Sequence, residues 1–297
     1  MKIYGGIEAG GTKFVCMLSV DPEHVLAEER FPTTTPAETL GRAIEFFQRA
    51  AREDELIAVG IGSFGPVDLH EESPTYGYIT TTPKPGWAQT DVLGPIQRAL
   101  RVPCAFDLDV NAAAFGEYHW VPANRHCDPL LYYTIGTGIG VGNIVNGRLL
   151  HGLLHPESGH IMIPHDRQSD PFPGACPYHG DCFEGLAAGP AVEQRWKQRG
   201  ETLPPDHPAW QLEARYIAYA VANLIYAFSP ERIVLGGGVM QQAGLLDRVR
   251  QEARGIINGY LQSERITRDI EQLIVAPGLG NRSGVLGAIA LAIQAAK

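Results

Sequence analysis

The chain has 297 residues, a length that suits two packed lobes better than one compact domain. Apolar residues make up 44% of the chain, which is typical of a globular protein and excludes a disordered one. The net charge is −9 and the chain has no long Lys/Arg run, so nucleic acid is excluded as an expected partner. No apolar stretch approaches the roughly 20 residues that span a membrane.

The first elements are predicted to be a strand, a glycine turn and a second strand. Two apolar runs flank Gly10-Gly11-Thr12-Lys13, a pattern typical of a hairpin. A helix follows with Thr35 as N-cap, Pro36 at its first position and Glu38 completing a capping box, and its apolar stripe extends to about Glu53. The run LIAVGIGSFGPVD then predicts a buried strand that leads into a loop.

The middle of the chain repeats the opening pattern. A Pro/Thr/Gly-rich loop ends at Trp87, and a helix over 91–100, a strand VPCAFDLDV and a helix beginning near Asn111 follow. From about residue 130, LLYYTIGTGIGVGNIVNGRLL is again strand, glycine turn and strand, which indicates a duplicated fold. Because strands alternate with helices, we predict an α/β protein with an N-terminal lobe (1–118) and a C-terminal lobe (119–297), whose last helix can pack back on the first lobe.

Residues 60–65 match G-x-G-x-x-G after a strand, the pattern of a dinucleotide site. That site needs a helix directly after the glycines and an acidic residue about 20 positions further on. Here Pro66-Val67-Asp68 and an irregular loop follow, and TTTPKPGW holds no acidic residue. A dehydrogenase is therefore disfavoured.

Three glycine turns follow strands, at residues 10–13, 136–138 and 236–238. Glycine lets backbone amides approach phosphate oxygens, and threonine hydroxyls add donors. No G-x-x-x-x-G-K-[ST] motif is present, so a Walker-type NTPase is excluded. The turns indicate a phosphate clamp built from hairpins of two lobes.

Asp109 lies between a predicted strand and a predicted helix. The helix dipole favours an ionised carboxylate there, which can accept a proton from a hydroxyl group. Helix N-capping is the alternative explanation.

The loop over 155–185 contains Cys176, His179 and Cys182, with His160 upstream. Four sulfur and nitrogen ligands suit a closed structural zinc site, and His155 is a possible substitute ligand. Buried thiols beside a surface histidine are the alternative. Because MKIYGGIEAGG lacks the layout of a signal peptide, the cysteines are expected to be cytoplasmic thiols or metal ligands.

Seven segments together resemble the ROK family of sugar kinases over nearly the whole chain, and most closely its fructokinase branch. They are GIEAGGTK, GIGSFGPVD, DVNAAAFGE, TIGTGIGVG, HPESGH, CPYHGDCFEG and LGGGV. The resemblance implies a two-lobed actin-like ATPase fold with a cleft, a homodimer, and Mg-ATP and a hexose as substrates. It implies that ATP contacts Gly10, Gly11, Thr12, Lys13, Thr137, Gly138, Gly236, Gly237 and Gly238, and that the sugar contacts Ser63, Gly65, Asp109, Glu157, His160 and Glu184. It also implies that Asp109 is the catalytic base and that His160, Cys176, His179 and Cys182 bind zinc.

Three positions depart from the common family pattern. Glu8 stands where aspartate is frequent, Leu108 where asparagine precedes the catalytic aspartate, and His179 where a cysteine binds zinc. We therefore expect an ATP-dependent kinase that phosphorylates the 6-hydroxyl of a hexose, D-fructose first, with mannose, glucose or an N-acetylated amino sugar as alternatives. A non-catalytic sugar sensor is the alternative from another class, and a ROK-type repressor is disfavoured because a strand begins at Ile3.

Overall fold

The computed structural model of the protein describes residues 2–51 and 55–297. The predicted end of the first helix near Glu53 lies outside these residues. The chain divides into two compact units. The first comprises Met1–Arg125, His151–Leu154 and Asn281–Lys297, and the second comprises His126–Leu150 and His155–Gly280.

The strands of the described residues are β1 (Lys2–Ala9), β2 (Lys13–Ser19), β3 (Val25–Pro32), β4 (Glu55–Ser63), β5 (Tyr78–Ile79), β6 (Thr90–Asp91), β7 (Cys104–Leu108), β8 (Leu130–Ile135), β9 (Ile139–Val145), β10 (Arg148–Leu149), β11 (Arg232–Gly236) and β12 (Ile274–Val275). The helices are α1 (Pro36–Ala50), α2 (Leu93–Leu100), α3 (Asp109–Trp120), α4 (Phe183–Ala187), α5 (Gly189–Trp196), α6 (Ala209–Phe228), α7 (Leu245–Ile257), α8 (Glu264–Thr267), α9 (Ile270–Leu273) and α10 (Ser283–Ala295).

Each unit contains a five-stranded sheet with the same topology. The first sheet has the order β3-β2-β1-β4-β7 and the second has the order β10-β9-β8-β11-β12. In each sheet the first three strands in sequence form antiparallel pairs. The fourth strand pairs parallel to the first, and the fifth pairs parallel to the fourth. The predicted echo of the opening pattern near residue 130 is therefore a repeat of the whole sheet topology.

The register of the parallel strands places three segments of the first unit side by side, each of which follows the end of a strand. Ala9 of β1 pairs with Ser63 of β4, and Ser63 pairs with Leu108 of β7. The hairpin after β1, the loop after β4 and helix α3 after β7 consequently start at one edge of the sheet. Ligands of α/β proteins commonly bind at this carboxyl edge of parallel strands.

Glycines let helix α10 pack directly on the backbone of the first unit. A Cβ on Gly60 of β4 would lie 1.9 Å from the carbonyl oxygen of Ala288, and one on Gly287 would lie 1.7 Å from that of Ala112. Real Cβ atoms do not approach backbone oxygens this closely, so only glycine permits these contacts. The glycines over 60–65 thus serve helix packing and a loop, which agrees with the rejection of a dinucleotide site.

Two helix starts differ in detail from the sequence expectations. Thr35 caps α1, because its Oγ1 accepts a hydrogen bond from the Glu38 amide at 3.4 Å, but the Glu38 carboxylate accepts from the Thr34 hydroxyl instead of closing the box. Helix α3 begins at Asp109 instead of near Asn111.

The expected lobe boundary after Tyr118 falls inside α3, which continues to Trp120, and the first unit extends to Arg125. The terminal helix α10 packs against α3, β1 and β4 within the first unit. Within the described part of the chain, no helix is both long enough and apolar enough to cross a membrane.

Candidate active site and metal centre

Asp109 is the first residue of α3 and follows the end of β7 directly. Its Oδ1 accepts a hydrogen bond from the Val110 amide at 2.8 Å, and the residue is half-buried. The helix N-terminus favours the ionised carboxylate. The group can therefore accept a proton from a hydroxyl group of a bound molecule, as the sequence predicts.

The loop after β4 begins beside Asp109. Ser63 is fully buried, and its hydroxyl donates to the Phe64 carbonyl oxygen at 3.0 Å. A Cβ on Gly62 would lie 3.2 Å from Asp109 Cα, and one on Gly65 would lie 2.7 Å from a methyl group of Leu108. The structure thus places Ser63 and Gly65, two of the predicted sugar contacts, next to the start of α3.

The hairpin between β1 and β2 has an exposed tip. The Gly10 amide donates to the Lys13 carbonyl oxygen at 3.0 Å, and the Thr33 hydroxyl donates to the Gly10 carbonyl oxygen at 2.7 Å. Thr12 and Lys13 are exposed. The tip therefore presents backbone amides, a hydroxyl and an ammonium group, all of which suit phosphate oxygens.

Glu8 precedes this hairpin on β1 and faces the start of α10. A Cβ on Gly284 would lie 2.7 Å from its carboxyl carbon. Burial raises the pKa of Glu8, while Lys13, Arg30 and the Val285 backbone lower it in part. The Glu8 side chain is therefore accommodated because residue 284 is glycine.

In the second unit the two predicted glycine turns lie against each other. Gly237 has a φ of 93°, and a Cβ there would lie 2.4 Å from backbone atoms of Ile135. A Cβ on Gly136 would lie 3.9 Å from the amide nitrogen of Gly238. Both turns line a cavity of about 660 Å³, together with Gly189, Pro190, Val192, Glu193, Arg199, Gly200, Glu201, Trp210, Val239, Gln241 and Gln242. Its size suits a nucleoside.

Glu184 on α4 holds the turn between β8 and β9. Its Oε2 accepts a hydrogen bond from the Ile139 amide at 2.9 Å and lies 2.8 Å from where a Cβ on Gly138 would be. Its Oε1 lies 4.0 Å from His160 Nε2. Glu157 is half-exposed and pairs with the buried His155 at 3.1 Å. The predicted sugar contacts Glu157, His160 and Glu184 all belong to this unit.

The predicted metal ligands form one cluster. The ligand atoms of His160, Cys176, His179 and Cys182 all lie within 4.8 Å of one another. His160 Nδ1 is 3.8 Å from Cys176 Sγ and 3.5 Å from Cys182 Sγ, and His179 Nδ1 is 3.6 Å from Cys176 Sγ. The arrangement is that of a four-ligand metal site. His155 does not belong to the cluster.

Sequence reasoning missed two features near these sites. The Gly189 amide, at the start of α5, donates to the Gly136 carbonyl oxygen at 2.7 Å and lines the cavity with Pro190. The sequence signal was Gly-Pro at a helix start. The second feature is a hydrogen bond of 2.9 Å between His151 Nε2 and Asp107 Oδ2, which joins residues 44 positions apart and has no local signature.

Known proteins resemble this chain over its full length. The fructokinase of Zymomonas mobilis is 47% identical to it, covering 99% of this chain and 97% of that protein. The fructokinase of Streptococcus mutans is 45% identical, covering 98% and 97%. The crystal structure of a ROK hexokinase from Thermus thermophilus covers 98% of each chain with a TM-score of 0.80 at 27% identity.

These likenesses confirm the predicted duplicated α/β fold of the actin-like ATPase class. The sequence pattern described as the ROK family matches residues 4–295. Because this match and the relatives above span almost every residue, the chain belongs to the ROK family.

Proposed function

We propose that the protein is an ATP-dependent fructokinase, which transfers the γ-phosphate of ATP to the 6-hydroxyl of D-fructose. The observation that carries this proposal is the 41–47% identity to several fructokinases over nearly the full length of both chains. The half-buried Asp109 at the start of α3 supports it, because phosphoryl transfer to a sugar requires a group that accepts the hydroxyl proton.

The proposed reaction uses Asp109 as the general base. The carboxylate takes the proton of the sugar's primary hydroxyl while that oxygen forms a bond to the γ-phosphorus, and the bond from phosphorus to the bridging oxygen of ADP breaks. Ser63, Gly65 and Asp109 of the first unit, and Glu157, His160 and Glu184 of the second, are proposed to contact the sugar. Their hydroxyl, amide, imidazole and carboxylate groups match the hydrogen-bonding capacity of a hexose.

The glycine turns are proposed to bind ATP. Gly10, Gly11, Thr12 and Lys13 of the first unit would contact the phosphates, as would Thr137 and Gly138 of the second. Gly236, Gly237 and Gly238 would contact the adenosine, because Gly238 lines the cavity of about 660 Å³ and the other two precede it in the same turn. Mg²⁺ bound with the nucleotide would neutralise charge on the β- and γ-phosphates.

We propose that the Cys/His cluster binds a structural zinc ion. With bonds of about 2.3 Å to sulfur and about 2.0 Å to nitrogen, a tetrahedral zinc separates neighbouring ligand atoms by about 3.4–3.8 Å. The sulfur–nitrogen distances of 3.5, 3.6 and 3.8 Å fit that range. Since all four ligands come from the protein, the ion would stiffen the loop before Glu184 and take no part in the reaction.

A cytoplasmic location and a homodimer complete the proposal. No disulfide bond joins the five cysteines, all of which lie in the described residues, and this suits a reducing compartment. Light scattering tests the dimer: it should give twice the chain mass of 32.3 kDa, and the monomer mass would contradict it.

The experiment that tests the function is ADP release from Mg-ATP with fructose, mannose, glucose and N-acetylated amino sugars. A strong preference for fructose is expected. Comparable or faster turnover of another hexose would contradict the substrate while keeping the kinase. Sugar binding without turnover of any hexose would favour the non-catalytic sensor.

A further inference from the structure

His151 lies in a short segment, His151–Leu154, that groups with the first unit. Hydrogen bonds anchor the segment there. His151 Nε2 is 2.9 Å from Asp107 Oδ2, and His70 Nε2 is 2.9 Å from the Leu153 carbonyl oxygen. The segment therefore has a fixed position beside the end of β7.

Asp107 is a rigid anchor for the imidazole. Its side chain is only 6% exposed, and its Oδ1 accepts hydrogen bonds from the Leu108 amide at 2.8 Å and from Asn111 Nδ2 at 2.6 Å. Because an ionised carboxylate only accepts, the proton on its bond to His151 belongs to Nε2. The same hydrogen bond raises the pKa of His151. Nδ1 is then the ring nitrogen left to bind a ligand.

The imidazole combines this fixed orientation with access from outside. The His151 side chain is 43% exposed, although its anchor is buried. Within the described residues no hydrogen bond to Nδ1 is found. The carboxylate that fixes the ring is itself held by two other donors, and a carboxylate partner of this kind sets which ring nitrogen carries the proton.

The pair lies at the sheet edge that carries the proposed sugar contacts. Asp107 pairs with Gly62 of β4 and stands two residues before Asp109. Leu108, between the two aspartates, is buried and apolar, so its side chain cannot bind a hydroxyl group. The segment His151–Leu154 brings a further polar side chain to this edge, because His151 contacts Asp107.

We propose that His151 is a specificity residue that binds a hydroxyl group of the hexose through Nδ1, while Asp107 fixes the ring. The proposal deepens the sugar-kinase function above and rests on it. It assigns to the 151–154 segment a direct part in sugar selection.

The test compares two substitutions of His151, each of which places a side-chain amide near the position of one of the two ring nitrogens. The amide of His151→Asn lies near the position of Nδ1, and the amide of His151→Gln lies near that of Nε2 and keeps the bond to Asp107. KM for the sugar is expected to rise about ten-fold or more in the Gln variant and less in the Asn variant. KM for ATP should stay within about two-fold in both. His70→Ala, which removes the hydrogen bond to the Leu153 carbonyl oxygen and leaves His151 and Asp107 unchanged, is the control and should leave the sugar KM within about two-fold.

The opposite order, with Gln close to wild type and Asn impaired, would overturn the proposal and make His151 only a tether for its segment. Unchanged sugar KM in both variants would also overturn it.

The substrate in these assays is the hexose that the wild-type protein phosphorylates best, so the result holds if fructose is the wrong substrate. If no hexose is phosphorylated, the proposed function is wrong, but His151 can still be tested. Hexose affinities of the wild type and the two His151 variants, measured by calorimetry, then decide its role. Thermal melting confirms that each variant is folded, and absence of hexose binding to the wild type overturns the proposal.

Discussion

The two glycine hairpins occupy the same place in two sheets of the same strand order, but they are anchored by different groups. The Thr33 hydroxyl, from the segment between β3 and α1, holds the β1–β2 hairpin through the Gly10 carbonyl oxygen. The Glu184 carboxylate and the Gly189 amide hold the β8–β9 hairpin. A duplicated topology has thus kept its backbone, while each copy has taken its polar anchors from whichever segment packs beside it.

The parallel strands of the two sheets show the same divergence. In the first unit β7 leads directly into α3 and presents Asp109. In the second unit the corresponding β12 has two residues, and the turn after the neighbouring strand β11 lines a cavity through Gly238 instead. The comparison predicts that proton transfer depends on the first unit, and that adenosine binding and the proposed metal depend on the second.

The largest expected effect tests the chemical role of the first unit. Asp109→Asn should lower kcat by about 10²- to 10⁴-fold, because the amide cannot accept the hydroxyl proton, and should leave KM values for ATP and sugar nearly unchanged. Coupled ADP-release kinetics measure both. Asp91→Asn is the matched control, since Asp91 also binds an amide at a helix start, that of Gly94 at 2.7 Å. Near-normal turnover of Asp109→Asn would refute the assignment.

The next effect tests the metal in the second unit. Cys176→Ser should reduce the zinc content from one ion per chain to a small fraction and lower the melting temperature by about 4 °C or more, because a four-ligand site loses a thiolate. Cys104→Ser is the control, since Cys104 lies outside the cluster and its Sγ donates a hydrogen bond to the Val102 carbonyl oxygen at 3.4 Å. Elemental analysis and thermal melting are the measurements. Wild-type protein that is stable and active without metal would contradict the site.

The smallest effect tests the backbone packing of the first unit. Gly287→Ala should destabilise the protein by about 1–3 kcal/mol, since the new Cβ would lie 1.7 Å from the Ala112 carbonyl oxygen. Gly255→Ala on α7 is the control, because a Cβ there meets nothing within 4 Å and the substitution should stabilise that helix by about 0.5–1 kcal/mol. Denaturant unfolding measures both. Equal stability of the two variants would show that α10 can shift without cost.

Features with a local signature could be predicted from the sequence. Alternating apolar runs predicted both hairpins, and the fixed spacing of Cys176, His179 and Cys182 predicted the metal cluster with His160. The order of seven motifs predicted the family. Each of these depends on residues that are close in the chain or on a pattern repeated along it.

Features that depend on long-range packing could not be predicted. The bond between His151 and Asp107 and the anchoring of the Ile139 amide by Glu184 join segments more than forty positions apart, so no spacing rule reveals them. The start of α3 at Asp109 was also missed, because Asp and Asn both favour helix starts and the sequence DLDVN offers several. A single sequence gives no basis for deciding which of them begins the helix.

The double engagement of Glu184 has a consequence for how this protein can change over evolutionary time. One carboxylate oxygen holds the β8–β9 turn, the other faces His160, and the residue lies two positions after Cys182. A surface loop ordinarily tolerates insertions and sequence variation. Here a mutation that displaces Cys182, a proposed metal ligand, is expected to move the carboxylate that shapes the turn. The loop over 155–185 is therefore expected to be inherited together with that turn, and recombination that exchanges one without the other should yield inactive protein.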